Sequence, residues 1–210
     1  MMGKKLLALL LCGALLVTVL AACGAPEEKD VSAEQDSQPV ETEKEPDTGD
    51  ASLDNPRNQD GIGEKELLVV SFGTSYNDSR RLTIGAIENA MEEAFPEYAV
   101  RRGFTSQIII DHVKSRDNVS IDNVKQALDR AVENGVKTLV IQPTHLMDGL
   151  EYHELVDEVA QYSDAFEHLA IGKPLLTSEA DFQAVEQAIT EATAEYDDGK
   201  TAICFMGHGT

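Results

Sequence analysis

His208 is the residue whose surroundings most favour chemistry, because a glycine stands on each side of it. The apolar run 202–206 (AICFM) precedes this group and predicts a strand that ends just before it. Neutral imidazole is a common ligand of divalent metal ions and a base near physiological pH. We therefore interpret His208 as a candidate metal ligand and catalytic residue, with an ordinary exposed histidine as the alternative.

A second polar segment, SFGTS at 71–75, follows another apolar run. Gly73 stands among the hydroxyl side chains of Ser71, Thr74 and Ser75, so backbone N–H groups and hydroxyls could bind an anion such as a carboxylate. The segment lacks the glycine spacing of nucleotide-binding loops, which argues against a phosphate site. We interpret these four residues as candidate substrate ligands; the alternative is a strand-to-helix turn that uses the backbone freedom of glycine.

The third polar segment contains His145, and Glu151 follows it closely in the chain. The imidazole of His145 is a candidate substrate ligand, and a role in orienting its own loop fits equally well. Glu151 stands near the start of a predicted helix, where its carboxylate could act catalytically or only complement the helix dipole. The sequence contains no HExxH, CxxC or clustered His/Cys motif, so a closed zinc site is not expected.

Short apolar runs alternate with helical patterns from residue 65 onward. The run 66–71 is largely apolar at consecutive positions, as in a parallel strand that is covered on both faces. Strand and helix in alternation imply right-handed crossovers and a doubly wound, mainly parallel α/β sheet. The predicted strands are 66–71, 98–104, 138–142, 169–171 and 201–206, and the predicted helices are 78–94, 106–114, one capped by Ser120 and ended by Gly135, 152–162 and 179–196.

These elements bring the three polar segments together. Each segment follows a predicted strand directly: the first strand, the third strand and the last. Ligands of open α/β sheets bind at the carboxyl ends of the strands. We therefore expect the three segments to meet along one edge of the sheet and to form a site there.

The first residues have the pattern of a bacterial lipoprotein signal peptide. Lys4 and Lys5 precede an apolar run, 6–22, and the run leads into LAAC with Cys23 as its last residue. Small residues before the cysteine suit a signal peptidase, and the thiol of Cys23 would then carry the lipid. The protein would be exported and anchored by its lipid on the outside of the cytoplasmic membrane. The predicted organisation is a signal peptide at 1–22, a disordered acidic tether at 23–64 and a folded domain at 65–210.

The charge balance and the cysteines limit the classes of function. Acidic residues outnumber basic ones by 38 to 17, and the formal net charge is −21. The sequence offers no basic stripe for phosphates, so nucleic acid is not an expected partner. Cys204 is the only cysteine of the predicted domain, which excludes a disulfide within it. Its apolar neighbours predict a small buried side chain.

In this order, the polar segments resemble the CbiK-type sirohydrochlorin cobaltochelatases, which are class II chelatases. The similar stretches are LLVVSFGTS at 67–75, FTS at 104–106, HLMDGLEY at 145–152, GKPLLTS at 172–178 and FMGHG at 205–209. The resemblance implies insertion of a divalent metal, Co²⁺, into the tetrapyrrole sirohydrochlorin during anaerobic cobalamin biosynthesis. The metal ion would be a substrate, and no nucleotide would take part.

The resemblance also implies roles for individual residues. His208 would bind the metal and help to remove pyrrole protons, and Glu151 would face the same cleft. The acidic groups of the macrocycle would find partners among Ser71, Thr74, Ser75, Arg101 and Arg102. Family members have two α/β halves with the macrocycle between them, and this chain matches the N-terminal half. We therefore expect a partial or truncated sequence that is not a competent chelatase alone.

A non-catalytic protein is the alternative function. A surface lipoprotein could use the same cleft to bind metal, tetrapyrrole or haem for uptake. The identity of the metal also stays open, because imidazole and carboxylate ligands accept cobalt, nickel, iron and zinc alike. Homo-oligomerisation stays open as well.

Overall fold

A computed structural model describes residues 46–206 of the chain. The predicted signal peptide, the lipidation site Cys23 and the glycine-flanked His208 lie outside the described residues. Between residues 46 and 206, no helix combines the length and the apolar character needed to cross a membrane.

Four parallel strands form one sheet in the order β2-β1-β3-β4. The strands are β1 (Lys65–Ser71), β2 (Ala99–Phe104), β3 (Thr138–Pro143) and β4 (His168–Ile171). β1 pairs with β2 on one side and with β3 on the other, so it is a central strand. The predicted parallel α/β sheet and its first four strands are therefore confirmed.

Helices connect these strands and flank the sheet. They are α1 (Asn77–Ser79), a π-helical turn (Arg80–Ile84), α2 (Gly85–Ala94), α3 (Gln107–Asp117), α4 (Val124–Glu133), α5 (Leu150–Ala160) and α6 (Glu179–Thr193). Short 3-10 helices span Ala51–Leu53 and Ala194–Tyr196. The predicted helices are all found, with ends that differ by a few residues.

The N-terminus of α4 differs from the prediction. Asn123, not Ser120, caps this helix: its side chain accepts a hydrogen bond of 2.8 Å from the backbone N–H of Gln126. The side chain of Gln126 accepts a bond of 3.0 Å from the backbone N–H of Asn123 in return. This reciprocal capping box satisfies two N–H groups that the helix leaves without partners. The hydroxyl of Ser120 instead accepts a bond from Lys114.

Consecutive apolar residues in β1 point to opposite faces of the sheet. Leu68 and Val70 belong to a buried cluster with residues of α4 and α5, including Leu128. Leu67 and Val69 pack on the other face, in a cluster with Val100 and partly buried Met91 of α2. Side chains alternate across a strand, so a strand that is covered on both faces needs apolar residues at every position.

The predicted fifth strand is not formed. Residues 201–206 lie outside regular secondary structure, and all of them are exposed. In the described part of the chain the sheet ends at β4, and the apolar run 201–206 has no strand beside it. The prediction of a buried Cys204 is wrong for the same reason, because its thiol lies in this exposed segment.

Residues 46–64, which we call the strap, pack on the domain. They include the short 3-10 helix, and they belong to the same compact unit as the sheet. Arg57 is only 4% exposed, and its carbonyl accepts a hydrogen bond of 3.2 Å from the backbone N–H of Arg102 in the edge strand β2. This part of the predicted tether is therefore attached to the domain, through contacts that its polar composition does not reveal.

Candidate active site at the carboxyl edge of the sheet

The carboxyl ends of β1 and β3 are joined by a direct side-chain contact. The hydroxyl of Thr144 donates a hydrogen bond of 2.8 Å to the hydroxyl of Ser71. The backbone N–H of Thr144 donates a second bond, also of 2.8 Å, to the carbonyl of Val70. The predicted meeting of the polar segments that follow β1 and β3 is thus observed, while the segment that contains His208 lies outside the described residues.

Gly73 is required by the shape of the loop after β1. Its φ of +99° lies in the region that favours glycine. A Cβ atom at this position would lie 2.5 Å from the ring of Phe104, which is fully buried at the end of β2. The glycine therefore lets the loop cross directly over Phe104, and its conformational role is evident without any ligand.

The hydroxyl of Thr74 accepts a hydrogen bond of 3.2 Å from the backbone N–H of Tyr76, which turns the loop towards α1. Two arginines also donate hydrogen bonds to backbone carbonyl groups of the loop. Arg80 donates a bond of 3.2 Å to the carbonyl of Thr74, and Arg116 donates one of 2.6 Å to the carbonyl of Ser75. The loop conformation is thus set by charged donors that lie within the protein, and the half-buried side chains of Thr74 and Ser75 lie at its outer side.

His145 and Glu151 form a pair in which one side chain is buried and the other is exposed. The Nε2 atom of His145 lies 3.5 Å from a carboxylate oxygen of Glu151, and the two side chains are 8% and 47% exposed. Neither imidazole nitrogen has a hydrogen-bond partner among the described residues. Burial lowers the pKa of His145, and the negative charge of Glu151 opposes this shift only in part. The imidazole is therefore neutral at neutral pH.

Hydrogen bonds connect the segment that contains this pair to the loop after β4. The carbonyl of His145 accepts a hydrogen bond of 2.9 Å from the backbone N–H of Leu175, in the loop after β4. The hydroxyl of Tyr152 donates a bond of 3.2 Å to the carbonyl of Gly172 in the same loop. Both contacts hold His145 and the first turn of α5 at the edge of the sheet.

An open cleft of about 360 Å³ lies beside Glu151. Glu154 and Glu158, on the same helix, extend the acidic wall, and Gln107 and Lys125 lie among the other lining residues. The side of the cleft formed by α5 is therefore acidic. Within residues 46–206, no three acidic, histidine or cysteine side chains are grouped closely enough to hold a metal ion.

Large apolar side chains are exposed on the loops of this edge. We call them the apolar collar; each is between 48% and 74% exposed, and they are Phe72, Tyr76, Leu146, Met147 and Leu150. Clustered apolar exposure on a soluble domain is a feature of binding surfaces. A flat apolar ligand would remove these side chains from water.

Residues 65–210 match the family described as Cobalt chelatase (CbiK). The chain belongs to the CbiK family. This confirms the resemblance of the polar segments, and the matched region begins with β1.

Two relatives of this CbiK-family chain carry informative names. The sirohydrochlorin cobaltochelatase of Salmonella typhimurium is 37% identical over 146 residues, which cover 70% of this chain and 55% of the relative. The sirohydrochlorin cobaltochelatase CbiKC of Nitratidesulfovibrio vulgaris is 29% identical over 163 residues, which cover 76% of this chain and 57% of the relative. The chain thus spans little more than half the length of these relatives.

Arg101 and Arg102 are not available to a substrate in this CbiK-family domain. Arg101 is fully buried and pairs with Glu66 and Asp122, and Arg102 is 1% exposed and pairs with Asp54 and Glu88. Neighbouring residues of a strand point to opposite faces, so each arginine enters a different charged cluster inside the domain. The prediction that they bind acidic groups of the macrocycle is wrong.

Arg80 and Arg116 are residues of this edge that the sequence patterns did not single out, whereas Thr144 belongs to the polar segment after the third strand. Thr144 follows β3 directly, so its position after a buried strand was an available signal. Arg80 lies on the helical side of the loop and is fully buried. A lone arginine near a helix start carries no sequence signal of burial, because its charged partner, Asp54, is distant in the chain.

Proposed function

We propose that this chain is the part of a sirohydrochlorin cobaltochelatase that binds the tetrapyrrole and the metal ion at the carboxyl edge of its sheet. One observation carries the proposal: a buried, neutral imidazole lies 3.5 Å from an exposed carboxylate, within the region that the cobalt chelatase family matches. Two relatives named sirohydrochlorin cobaltochelatase support the choice of tetrapyrrole and metal. Co²⁺ is then a substrate that the protein must release into the macrocycle, so side chains that bind the ion weakly are appropriate.

The reaction needs an acceptor for protons. When Co²⁺ enters the macrocycle, two pyrrole N–H bonds break and two protons leave, so charge is balanced without a nucleotide or a redox partner. The exposed carboxylate of Glu151 is able to accept a proton and pass it to water. His145 would supply a neutral nitrogen ligand, and His208 would act as metal ligand and second base.

The apolar collar and the loop after β1 would bind the two parts of the macrocycle. The flat ring would cover exposed side chains such as Phe72 and Leu150. Its acidic substituents would lie against the hydroxyl groups of Thr74 and Ser75 and the backbone N–H groups of the segment 71–75. Ser71 is 2% exposed and bonded to Thr144, so it would support this loop from inside the domain.

A titration of the mature chain with sirohydrochlorin, followed by visible absorption, tests the proposal. Calorimetry with Co²⁺ measures the metal step separately. We expect His208→Ala to weaken Co²⁺ binding while sirohydrochlorin binding is kept, because the imidazole would contact the metal and not the ring. His153→Ala is the matched control, since its side chain is 63% exposed and contacts Asp148. A wild-type chain that does not bind sirohydrochlorin would rule the proposal out.

We also propose that the protein is exported and anchored to the outside of the cytoplasmic membrane by lipid on Cys23. The LAAC sequence that ends at Cys23 supports this. Cell fractionation of Cys23→Ser tests it, and the variant should move from the membrane fraction to the soluble fraction. Cys204→Ser is the control, because that thiol is exposed on the domain and should not affect anchoring.

A further inference from the structure

The strap contains an acidic residue that reaches the candidate site through a buried arginine. The family match begins at residue 65, so the strap, residues 46–64, precedes it. The side chain of Asp54 is only 3% exposed, and it accepts a hydrogen bond of 2.6 Å from Nε of Arg80. It also accepts bonds of 2.7 Å and 3.1 Å from the guanidinium of Arg102.

Arg80 connects this strap residue to the loop after β1. With Nε bound to Asp54, its Nη1 donates to the carbonyl of Thr74 at 3.2 Å, and its Nη2 donates to the side chain of Asn77 at 2.6 Å. The guanidinium is planar, so its donors keep a fixed relative direction. Asp54 is therefore one of three contacts that fix the direction of Arg80, and Arg80 in turn holds the carbonyl of Thr74.

Backbone contacts attach the strap at the same place. The carbonyl of Thr48 accepts a hydrogen bond of 2.9 Å from the backbone N–H of Asp78 at the start of α1. The carbonyl of Gly49 accepts one of 3.0 Å from the side chain of Asn77. At its other end the strap is held away from the site, where Asp60 pairs with Arg130 of α4.

The charge balance among the buried arginines that contact or adjoin the strap depends on Asp54. Three guanidinium groups, those of Arg57, Arg80 and Arg102, are nearly or fully buried there. The buried carboxylates that face them are Asp54 and Glu88. Glu92 also pairs with Arg57, but its side chain is 59% exposed. Loss of the charge of Asp54 would leave Glu88 as the one buried carboxylate that faces these three cations, and Arg80 would lose its ion-pair partner.

We infer that Asp54 is a positioning residue of the candidate site, acting through Arg80 on the loop 71–76. The link of this loop to a tetrapyrrole rests on the proposed function. The strap is thus part of the machinery that shapes the site, although it lies before the region that the family model matches.

Amide hydrogen exchange in the full mature chain tests the inference without any ligand. In Asp54→Asn, peptides covering 72–78 should exchange roughly tenfold faster or more, while peptides of β3 keep the wild-type rate. Asp60→Asn is the matched control, because this strap carboxylate is 71% exposed and its partner Arg130 retains Asp122. Equal exchange of 72–78 in both variants, or faster exchange throughout Asp54→Asn, would overturn the inference.

Arg80→Lys provides the second variant if Asp54→Asn does not fold. The ammonium group keeps the charge opposite Asp54 but cannot bond Thr74 and Asn77 in the same fixed geometry. Faster exchange confined to 72–78 is again expected, and wild-type exchange there would contradict the inference. Sirohydrochlorin titration of the same variants separates the two proposals: weaker binding supports both, whereas no binding by the wild type removes the proposed function and leaves the exchange result decisive.

Discussion

The Nε2 atom of His145 and a carboxylate oxygen of Glu151 lie 3.5 Å apart, although the two side chains differ sharply in exposure. The buried member is neutral, because burial lowers the pKa of His145 more than the nearby carboxylate raises it. The exposed member provides negative charge at the surface. Together they place one neutral imidazole and one carboxylate side by side at the carboxyl edge of the sheet.

Glu151→Gln should weaken the binding of Co²⁺ by roughly tenfold or more, because the amide keeps the shape of the side chain and removes its charge. The free energy of unfolding should change by less than about 0.5 kcal/mol, since the side chain is 47% exposed. Calorimetry with Co²⁺ and urea denaturation measure the two quantities. Glu154→Gln, on the same helix, is the control, and equal losses of affinity in both variants would refute a specific role for Glu151.

Glu66 should make stability depend on pH. Burial raises the pKa of Glu66 from 4.5 to about 7, in spite of the opposing charge of Arg101. Between these two values the folded state holds a proton that the unfolded state releases. The free energy of unfolding should therefore fall by roughly 2–4 kcal/mol as the pH rises through this window.

Urea denaturation of Glu66→Gln at pH 5 and pH 8 measures this contribution. The amide does not titrate, so the variant should lose less stability than the wild type between the two pH values. Glu64→Gln is the control, because Glu64 is 66% exposed and pairs with Lys137 at the surface. If Glu66→Gln lost as much stability as the wild type between pH 5 and pH 8, Glu66 would be ionised throughout this pH range.

Gly73→Ala should destabilise the domain by at least about 2 kcal/mol, because alanine would be strained at a positive φ and would press on a buried ring. The distance of 2.5 Å from the added Cβ to Phe104 leaves no room without displacement of the loop. Gly149→Ala is the control, since its φ is −121° and no atom lies within 4 Å of the added Cβ. Thermal unfolding of both variants measures the difference.

Asn123→Ala should lower the free energy of unfolding by about 1 kcal/mol, because it removes the side-chain oxygen that caps α4. Ser120→Ala should have a smaller effect, since its exposed hydroxyl contacts Lys114 and not the helix backbone. Urea denaturation of the two variants distinguishes the caps. A larger loss for Ser120→Ala would contradict the observed N-terminus of α4.

Local patterns of the sequence predicted much of this architecture. The apolar run in β1 predicted a strand covered on both faces, and Leu67 and Leu68 do pack on opposite sides of the sheet. Polar residues after β1 and β3 predicted a common edge, and Thr144 bonds Ser71 there. These predictions succeed because the alternation of side chains and the direction of parallel strands follow from backbone geometry alone.

The burial of charged side chains could not be predicted in this way. Arginine is usually a surface residue, yet Arg101 and Arg102 are both buried in ion pairs. The partner of Arg102 in the strap, Asp54, is far away in the chain, and the two meet only because the strap runs along the edge of β2.

The sequence by itself determined the α/β class, the family and the order of the polar segments along the chain. Only the tertiary structure decided that 46–64 packs on the domain, that 201–206 forms no strand, and that His145 is buried beside an exposed Glu151. The physical reason is the range of the interactions. Periodicity and capping act within a few residues, whereas burial and charge pairing depend on which distant segments the fold brings into contact.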